Sequence, residues 1–478
     1  MAHGGGHPEH APLGTIPLCF AYSLKTMRIF LRLVPLLAAG IPAFAADLNI
    51  PIEKYRLKNG MGVILSRDAS APVVTVYVVY NVGARSEVKG RSGFAHLFEH
   101  MMFQGSKNAP KGVHFKAVES NGGWLNGSTH ADFTDYFQVM PSAKLPLALW
   151  LESDRMRGLN ITQENLDNQR EAVKEERRLR LDNQPYVTAI VDRWPEVAYR
   201  NWSNSHSLIG SFEDLDAATV DDVANFFRTY YAPNNAVLVV VGDFDPVEAR
   251  KWIEAYFADI EPQPLPKRPD LTEPPVKEPR HTVVKDPLAK VPAVAIGYPG
   301  PVRRSADYYA LVLLDVLLTG GDSSRFNQNL IKGRQSVLQV EANLGWPFAG
   351  PADYLHPGVY GMMLLHKPDF KGTEVAAQVQ EEIERVQKEG LDAKELERIK
   401  TLLRSSRINE IQSSYRRAAL LGQYEILDGN PGWINTELSR YQRVTAEQIR
   451  EAAKKYLRPE VRIVMEIVPA PAQEEKKR

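Results

Sequence analysis

The sequence predicts an α+β chain of two homologous halves, each a mostly antiparallel sheet with helices on one side, joined by a proline-rich linker. Three observations carry this expectation: a repeat at a fixed offset, matching strand–helix openings in the two halves, and one segment dense in proline.

The repeat is read from its fixed points. Thr219, Val223, Tyr230 and Pro233 precede the apolar run 236–241, and Thr445, Ile449, Tyr456 and Pro459 precede 463–465; the four pairs are each 226 residues apart. Both copies predict a Thr-capped helix, stopped near a proline and followed by a buried strand. The openings correspond too. Val73–Tyr80 is a β-branched run leading to a helix over 92–104 closed by Gly105, and 291–298 leads to a helix over 305–319 closed by Gly320. Strand runs and helical runs are segregated, which favours sheets with helices packed against them over strict β-α alternation. Between the halves, 261–280 holds seven prolines and no helical period, so an extended linker is expected.

The N-terminus is different in kind. From Met27 it reads Met-Arg-Ile-Phe-Leu-Arg, then an apolar stretch over 33–41, then Ala43-Phe44-Ala45. A basic start, a short hydrophobic segment and an Ala-x-Ala site predict an export signal, with Met27 as a candidate start and Ala46 as the mature end. The stretch is apolar throughout, not amphipathic and Arg-rich, so export to a bacterial periplasm is favoured over a mitochondrial presequence. It is short and broken by Pro35, so no stable membrane span is expected once it is removed; an uncleaved anchor is the alternative. Lys+Arg and Asp+Glu are both 58, giving zero formal net charge, which argues against nucleic acid as a partner. The single cysteine, Cys19, lies in the leader, so thiolate ligands, cysteine nucleophiles and disulfides are excluded from the remainder.

The chemistry concentrates at Ser-Gly-Phe-Ala-His-Leu-Phe-Glu-His-Met-Met-Phe-Gln-Gly, residues 92–105. On a helix His96 and His100 leave the same face, with Cβ atoms about 5–6 Å apart, close enough for both to ligate one zinc ion. Glu99 borders that face, within reach of a water at the metal. Such a His-x-x-Glu-His pattern arises by chance only about 0.02 times in a chain of this composition. Catalytic zinc usually takes a third protein ligand and keeps a fourth position open. The acidic helix over 163–182 offers Glu164, Glu171, Glu175 and Glu176, with Leu166, Val173, Leu179 and Leu181 as its buried side. The residues alone do not choose among the four acids. His114 and His130 read as packing or surface residues.

The pattern resembles the pitrilysin, insulinase and mitochondrial processing peptidase family of zinc metallopeptidases, and the likeness runs from Leu57-Lys58-Asn59-Gly60-Met61 to the last strand. The resemblance implies a zinc endopeptidase with one Zn2+ per chain, held by His96, His100 and a third-ligand glutamate some 75 residues on. Glu176, in Val173-Lys-Glu-Glu176-Arg-Arg, fits that place, with Glu175 as fallback. Gln169 stands where family members often carry a further glutamate. Gly122-Gly123-Trp124-Leu125-Asn126-Gly127-Ser128-Thr129 resembles the family's edge strand, where a peptide substrate adds; Asn126, Gly127, Ser128 and Thr129 are thereby implied to bind substrate. Counting back from Gly320 puts Leu311, Leu314 and Asp315 where His96, Glu99 and His100 stand, so the second half is expected to lack a site. Of the substrate-gripping Arg and Tyr found in some second halves, only Tyr360 is present. The resemblance further implies a homodimer or a heterodimer with a homologous subunit. The expected organisation is a leader over 1–45, a metal-bearing half over 46–260, the linker 261–280, a non-catalytic half over 281–470 and a charged tail over 471–478. A non-catalytic scaffold or partner subunit is the competing expectation.

Overall fold

Apolar runs that are buried on both faces need cover from both sides, and that requirement organises the molecule. A computed structural model describes residues 48–470. The expected leader and charged tail, with Cys19, lie outside the described residues. Among the described residues no helix is long and apolar enough to cross a membrane.

Among the described residues eleven strands form two sheets. The first contains β1 (Glu53–Arg56), β2 (Gly62–Arg67), β3 (Val73–Tyr80), β4 (Trp124–Thr129), β5 (Thr134–Pro141) and β6 (Ala236–Gly242); the second contains β7 (Arg280–Asp286), β8 (Ala293–Pro299), β9 (Val337–Leu344), β10 (Val359–His366) and β11 (Ile463–Pro469). Their orders are β1-β2-β6-β3-β5-β4 and β7-β11-β8-β10-β9. Only β2/β6 and β7/β11 pair in parallel; all other neighbours are antiparallel. Removing β1 leaves the same topology twice, the structural form of the repeat read from the sequence. The repeated helices Val220–Tyr230 and Ala446–Tyr456 each start from a threonine with a full capping box, closed by Asp222 and Gln448.

Each sheet packs the helices of its own half on one face. Val74, Val76, Val78 and Tyr80 of β3 join Leu238 and Val240 of β6 in the larger core of the first half. The opposite face is covered by the other half. Tyr77, Val79, Val237, Val239 and Val241 meet Ala418, Leu420, Leu421 and Tyr424 of the helix Ser414–Asp428. Gly422 makes that approach possible, since a Cβ there would lie 2.6 Å from the Tyr77 ring. The loan is returned: Trp194, Ala198 and Tyr199 of the first half cover Ala293, Ala295, Ile463 and Met465 of the second. This exchange explains why β3 and β6 read as continuous apolar runs.

Residues 261–279 contain no helix or strand, as the prolines predict. They are strapped to the first half by hydrogen bonds: Asn201 and Asn204 donate to the carbonyls of Asp270 (2.6 Å) and Leu271 (3.0 Å), and Glu273 accepts the Arg200 and Asn201 amides at 2.8 and 3.0 Å.

Candidate metal centre

The motif helix runs Phe94–Met101 and anchors through Phe94, Ala95, Leu97, Phe98 and Met101, all buried. It begins later than expected, and Ser92 does not cap it. Gly93, at φ 80°, occupies the cap position without a side chain to offer. Glu87 does the capping from outside: its carboxylate accepts the Gly93 amide at 2.9 Å and the Ala95 amide at 2.8 Å. His206 Nε2 lies 3.0 Å from the same carboxylate and 2.9 Å from the Ala84 carbonyl. Burial pushes the Glu87 carboxyl up, against the pull of His206. His206 itself, though burial lowers it, is held above its ordinary value by Glu87. Ser92 is engaged elsewhere, donating from Oγ to Asp214.

The third donor comes from the helix Gln163–Arg177, capped by Thr162 and buried along Leu166, Gln169 and Val173. It continues as a wider π-type turn over Arg178–Asp182. That change of period turns Leu179 outward, 56% exposed, where the sequence placed it on the buried side. Of the four acids, only Glu176 reaches the histidines. Its Oε2 lies 3.2 Å from His100 Nε2 and 3.6 Å from His96 Nε2, while Oε1 pairs with Arg180 at 3.0 Å. Glu175 stays at the rim, paired with Arg178 at 3.1 Å, and Glu171 pairs with Lys174 at 3.0 Å.

This donor set fits a zinc ion. Tetrahedral ligands at roughly 2.0–2.1 Å stand about 3.3 Å from one another, close to the two separations observed. The tautomers agree. Gln169 donates its amide to Asn168 at 2.7 Å, which leaves Oε1 to accept from His100 Nδ1 at 3.3 Å. With Nδ1 donating to Gln169, His100 Nε2 either carries a second proton to the Glu176 oxygen that also faces His96, or gives its lone pair to a metal ion. One proton can relieve one of those contacts; a metal ion relieves both. Burial, then the nearby His100, lowers His96 to about 4, so its ring is neutral at neutral pH. His100 is lowered by burial but raised further by Glu176, and ends above its ordinary value. Its hydrogen bond to His100 holds Glu176 below the usual carboxylate range. Among the described residues no other group of three His, Cys, Asp or Glu donors converges in this way.

Glu99 lies beside this group, in the same cavity of about 690 Å³. Burial raises its carboxyl, partly offset by a hydrogen bond of 2.7 Å from the Thr129 hydroxyl to Oε2. β4 is the edge strand of its sheet, as the resemblance implied. Asn126 and Gly127 line the cavity together with Phe103, Phe115, Leu179 and Arg180. Gly127 lies against Tyr136, whose ring a Cβ would approach to 2.9 Å. Ser128, opposite Asp135 in the register, does not line the cavity. Sequence reasoning misses Arg180, Gln169 as a partner of His100, and Glu87 as the cap. Arg180 had a readable signal, since it stands four residues after Glu176 on a helical path.

The second half carries no counterpart. Leu311 and Leu314 are core residues, and Asp315 accepts hydroxyl hydrogen bonds from Tyr360 and Thr319, both at 3.1 Å. Tyr360 is fully buried, so the candidate gripping residue belongs to the core. His114 and His130 pack: His114 is 6% exposed, and His130 stacks on Phe133 with its ring 3.2 Å from Asp135.

Residues 62–211 match the family model described as Insulinase (Peptidase family M16), and residues 217–403 match that described as Peptidase M16 inactive domain. The chain is 29% identical over 426 residues to the zinc protease PqqE of Helicobacter pylori, covering 88% of this chain and 93% of that protein. It is 24% identical over 424 residues to mitochondrial-processing peptidase subunit beta of Bos taurus, covering 86% and 83% respectively. A crystal structure of a protease from Helicobacter pylori superposes with a TM-score of 0.82 at 27% identity, over 88% of this chain and 100% of that one. With one of the two family models over the half that carries the His-x-x-Glu-His helix and the other over most of the rest, the chain belongs to the pitrilysin/insulinase family of peptidases, M16.

Proposed function

We propose that this chain is a zinc-dependent endopeptidase acting on unfolded peptides or polypeptides, with His96, His100 and Glu176 as metal ligands and Glu99 as general base and acid. The observation that carries the reading is the place of Glu99, a carboxylate raised by burial and steadied by Thr129 beside the three converging donors. A site that merely held a metal would have no use for a base there.

Bound zinc would supply Lewis-acid polarisation, of the kind that brings the pKa of water to about 7. The remaining work falls to the chain. Glu99, with Oε2 engaged by Thr129, takes the proton of the attacking water on Oε1 and returns it to the leaving amide nitrogen. Its raised pKa brings both transfers nearer to balance at neutral pH. β4 offers the unpaired N–H and C=O groups of a sheet edge, to which only an extended backbone can pair. Substrate is assigned to the segment Asn126, Gly127, Ser128 and Thr129 on that ground, and unfolded chains are favoured for the same reason.

The proposal includes a second chain, either a copy of this one or a homologous subunit. It is supported by the likeness to a protein named as a subunit and by the burial of Tyr360, which takes away the one tyrosine expected to grip substrate near the cleaved bond. Export to the periplasm is proposed from the leader alone. Glu99→Gln tests the reading: zinc is expected to remain while cleavage of an unfolded peptide is lost. Cleavage retained by the variant would overturn the mechanism. No cleavage by the wild type, alone or with a homologous subunit, would favour a scaffold role.

A further inference from the structure

The first residue of β4 is an exposed tryptophan. Trp124 is 49% exposed, and of the other residues on the strand only Asn126, on the same face, is exposed. The pairing of β4 with β5 fixes which face it occupies. Trp124, Asn126 and Ser128 stand opposite Val139, Phe137 and Asp135, whereas Leu125, Gly127 and Thr129 share the face of Tyr136 and the motif helix. The indole leans edge-on against Phe137 at 4.9 Å between ring centroids and against Tyr415 of the second half at 5.5 Å. Phe137 and Tyr415 are themselves 4.1 Å apart. Arg416 is exposed, with its guanidinium 5.7 Å from the Tyr415 ring. Its neighbour Arg417 pairs with Asp68 at 2.7 Å, but among the described residues Arg416 has no carboxylate at that range.

This arrangement bears on the substrate through strand geometry. Asn126 and Gly127 border the cavity of the metal donors, and Trp124 stands two to three residues before them. A peptide added to the open edge of β4 has the same rise of about 3.4 Å per residue and the same alternation of faces. The peptide residue opposite Trp124 therefore directs its side chain to the indole, two or three residues from the one over the cavity. We infer that Trp124, Tyr415 and Arg416 form a specificity subsite at the head of β4 that selects an aromatic side chain of the peptide substrate two or three residues from the cleaved bond. The assignment rests on the proposed function. Packing between the two halves accounts for Tyr415 against Phe137, but not for the half of the indole left in solvent at a strand edge.

The test uses a set of peptides of one background sequence, with Tyr or Ala at each of the three positions on either side of the cleaved bond. Wild-type kcat/KM and binding of labelled peptides to the Glu99→Gln variant, read by fluorescence anisotropy, are measured in parallel. The Tyr peptide is expected to be preferred about fivefold at one position two or three residues from the bond, mainly through KM, in keeping with the strength of an aromatic pair. Trp124→Ala should abolish the preference, whereas Trp124→Phe should keep most of it. A preference that survives in Trp124→Ala, or a variant that slows every peptide alike, overturns the subsite. If no peptide is cut but Glu99→Gln binds them with the Trp124-dependent preference, the subsite stands and the catalytic reading falls. If none is bound or cut, both fall.

Discussion

Glu87→Gln is the most informative single change to the support of the motif helix. The glutamate uses both oxygens: one accepts the Ala95 amide, and the other accepts the Gly93 amide and faces His206. Its side chain is 0% exposed and that of His206 only 6%. Glutamine keeps the shape but turns one oxygen into a donor. Whichever way the amide lies, at least one buried backbone N–H meets an N–H in place of an acceptor, at about 1–3 kcal/mol. The bonds that remain lose their charge assistance, which roughly halves them. Together these give a loss of about 2–4 kcal/mol, measured by denaturant unfolding at neutral pH. His206 supplies an independent reading. Its folded pKa is raised, so its contribution is full below the ordinary value of 6.5 and is lost as pH rises through the folded one. In the variant that pH dependence should vanish and the histidine should titrate lower by NMR. Because the Gly93 and Ala95 amides lie within the three residues before His96, zinc affinity should fall at least about tenfold, in the range of other supporting contacts at metal sites. A stability loss under about 0.5 kcal/mol with His206 titrating as before would refute the capping argument.

Two further changes address the opposite half and the metal's surroundings. Burial pushes Asp315 from 3.8 up to about 7, against hydrogen bonds from Tyr360 and Thr319. Between those values the folded chain holds a proton that the unfolded chain releases, so stability falls as pH rises from 4 to 7. Three units would be about 4 kcal/mol, and the residue's partial contact with solvent reduces this to about 1–2 kcal/mol. Both donors reach Oδ1, which asparagine retains, so Asp315→Asn should be the more stable protein at pH 8 and show a flatter pH profile in denaturant unfolding. Equal slopes in the two proteins would contradict this. Gln169→Glu places a carboxylate where an amide oxygen meets His100 Nδ1 at 3.3 Å. The imidazole becomes more basic, and chelator competition should show zinc held about tenfold more tightly; unchanged or weaker binding would count against His100 as a ligand.

Local chemistry made most of the fold legible. The β-branched run of β3 gave its limits to the residue, and the two Thr-capped helices declared themselves because capping is decided within three residues. The motif helix was placed but its start was not, because its cap is Glu87, six residues before Gly93 and outside any local pattern. The exchange of helices between halves was hidden for a similar reason. Nothing in 414–428 says which sheet it will cover, although the double-sided burial of β3 and β6 required some cover. Helical spacing brought His96, Glu99 and His100 together on paper. Glu176 needed the resemblance, because four acids on one helix share a composition and differ only in tertiary reach. Tyr360 sat on the right strand but on its buried face, which follows from pairing register rather than from residue type.

In the proposed site three donors hold zinc, and the same chain then cuts peptides. The most direct test measures metal content and cleavage of an unfolded peptide together, on the purified wild-type chain and on Glu176→Gln. About one zinc per chain with cleavage in the wild type, and loss of both in the variant, is the predicted result. A wild type without zinc, or a Glu176→Gln variant that keeps both zinc and cleavage, would contradict the account.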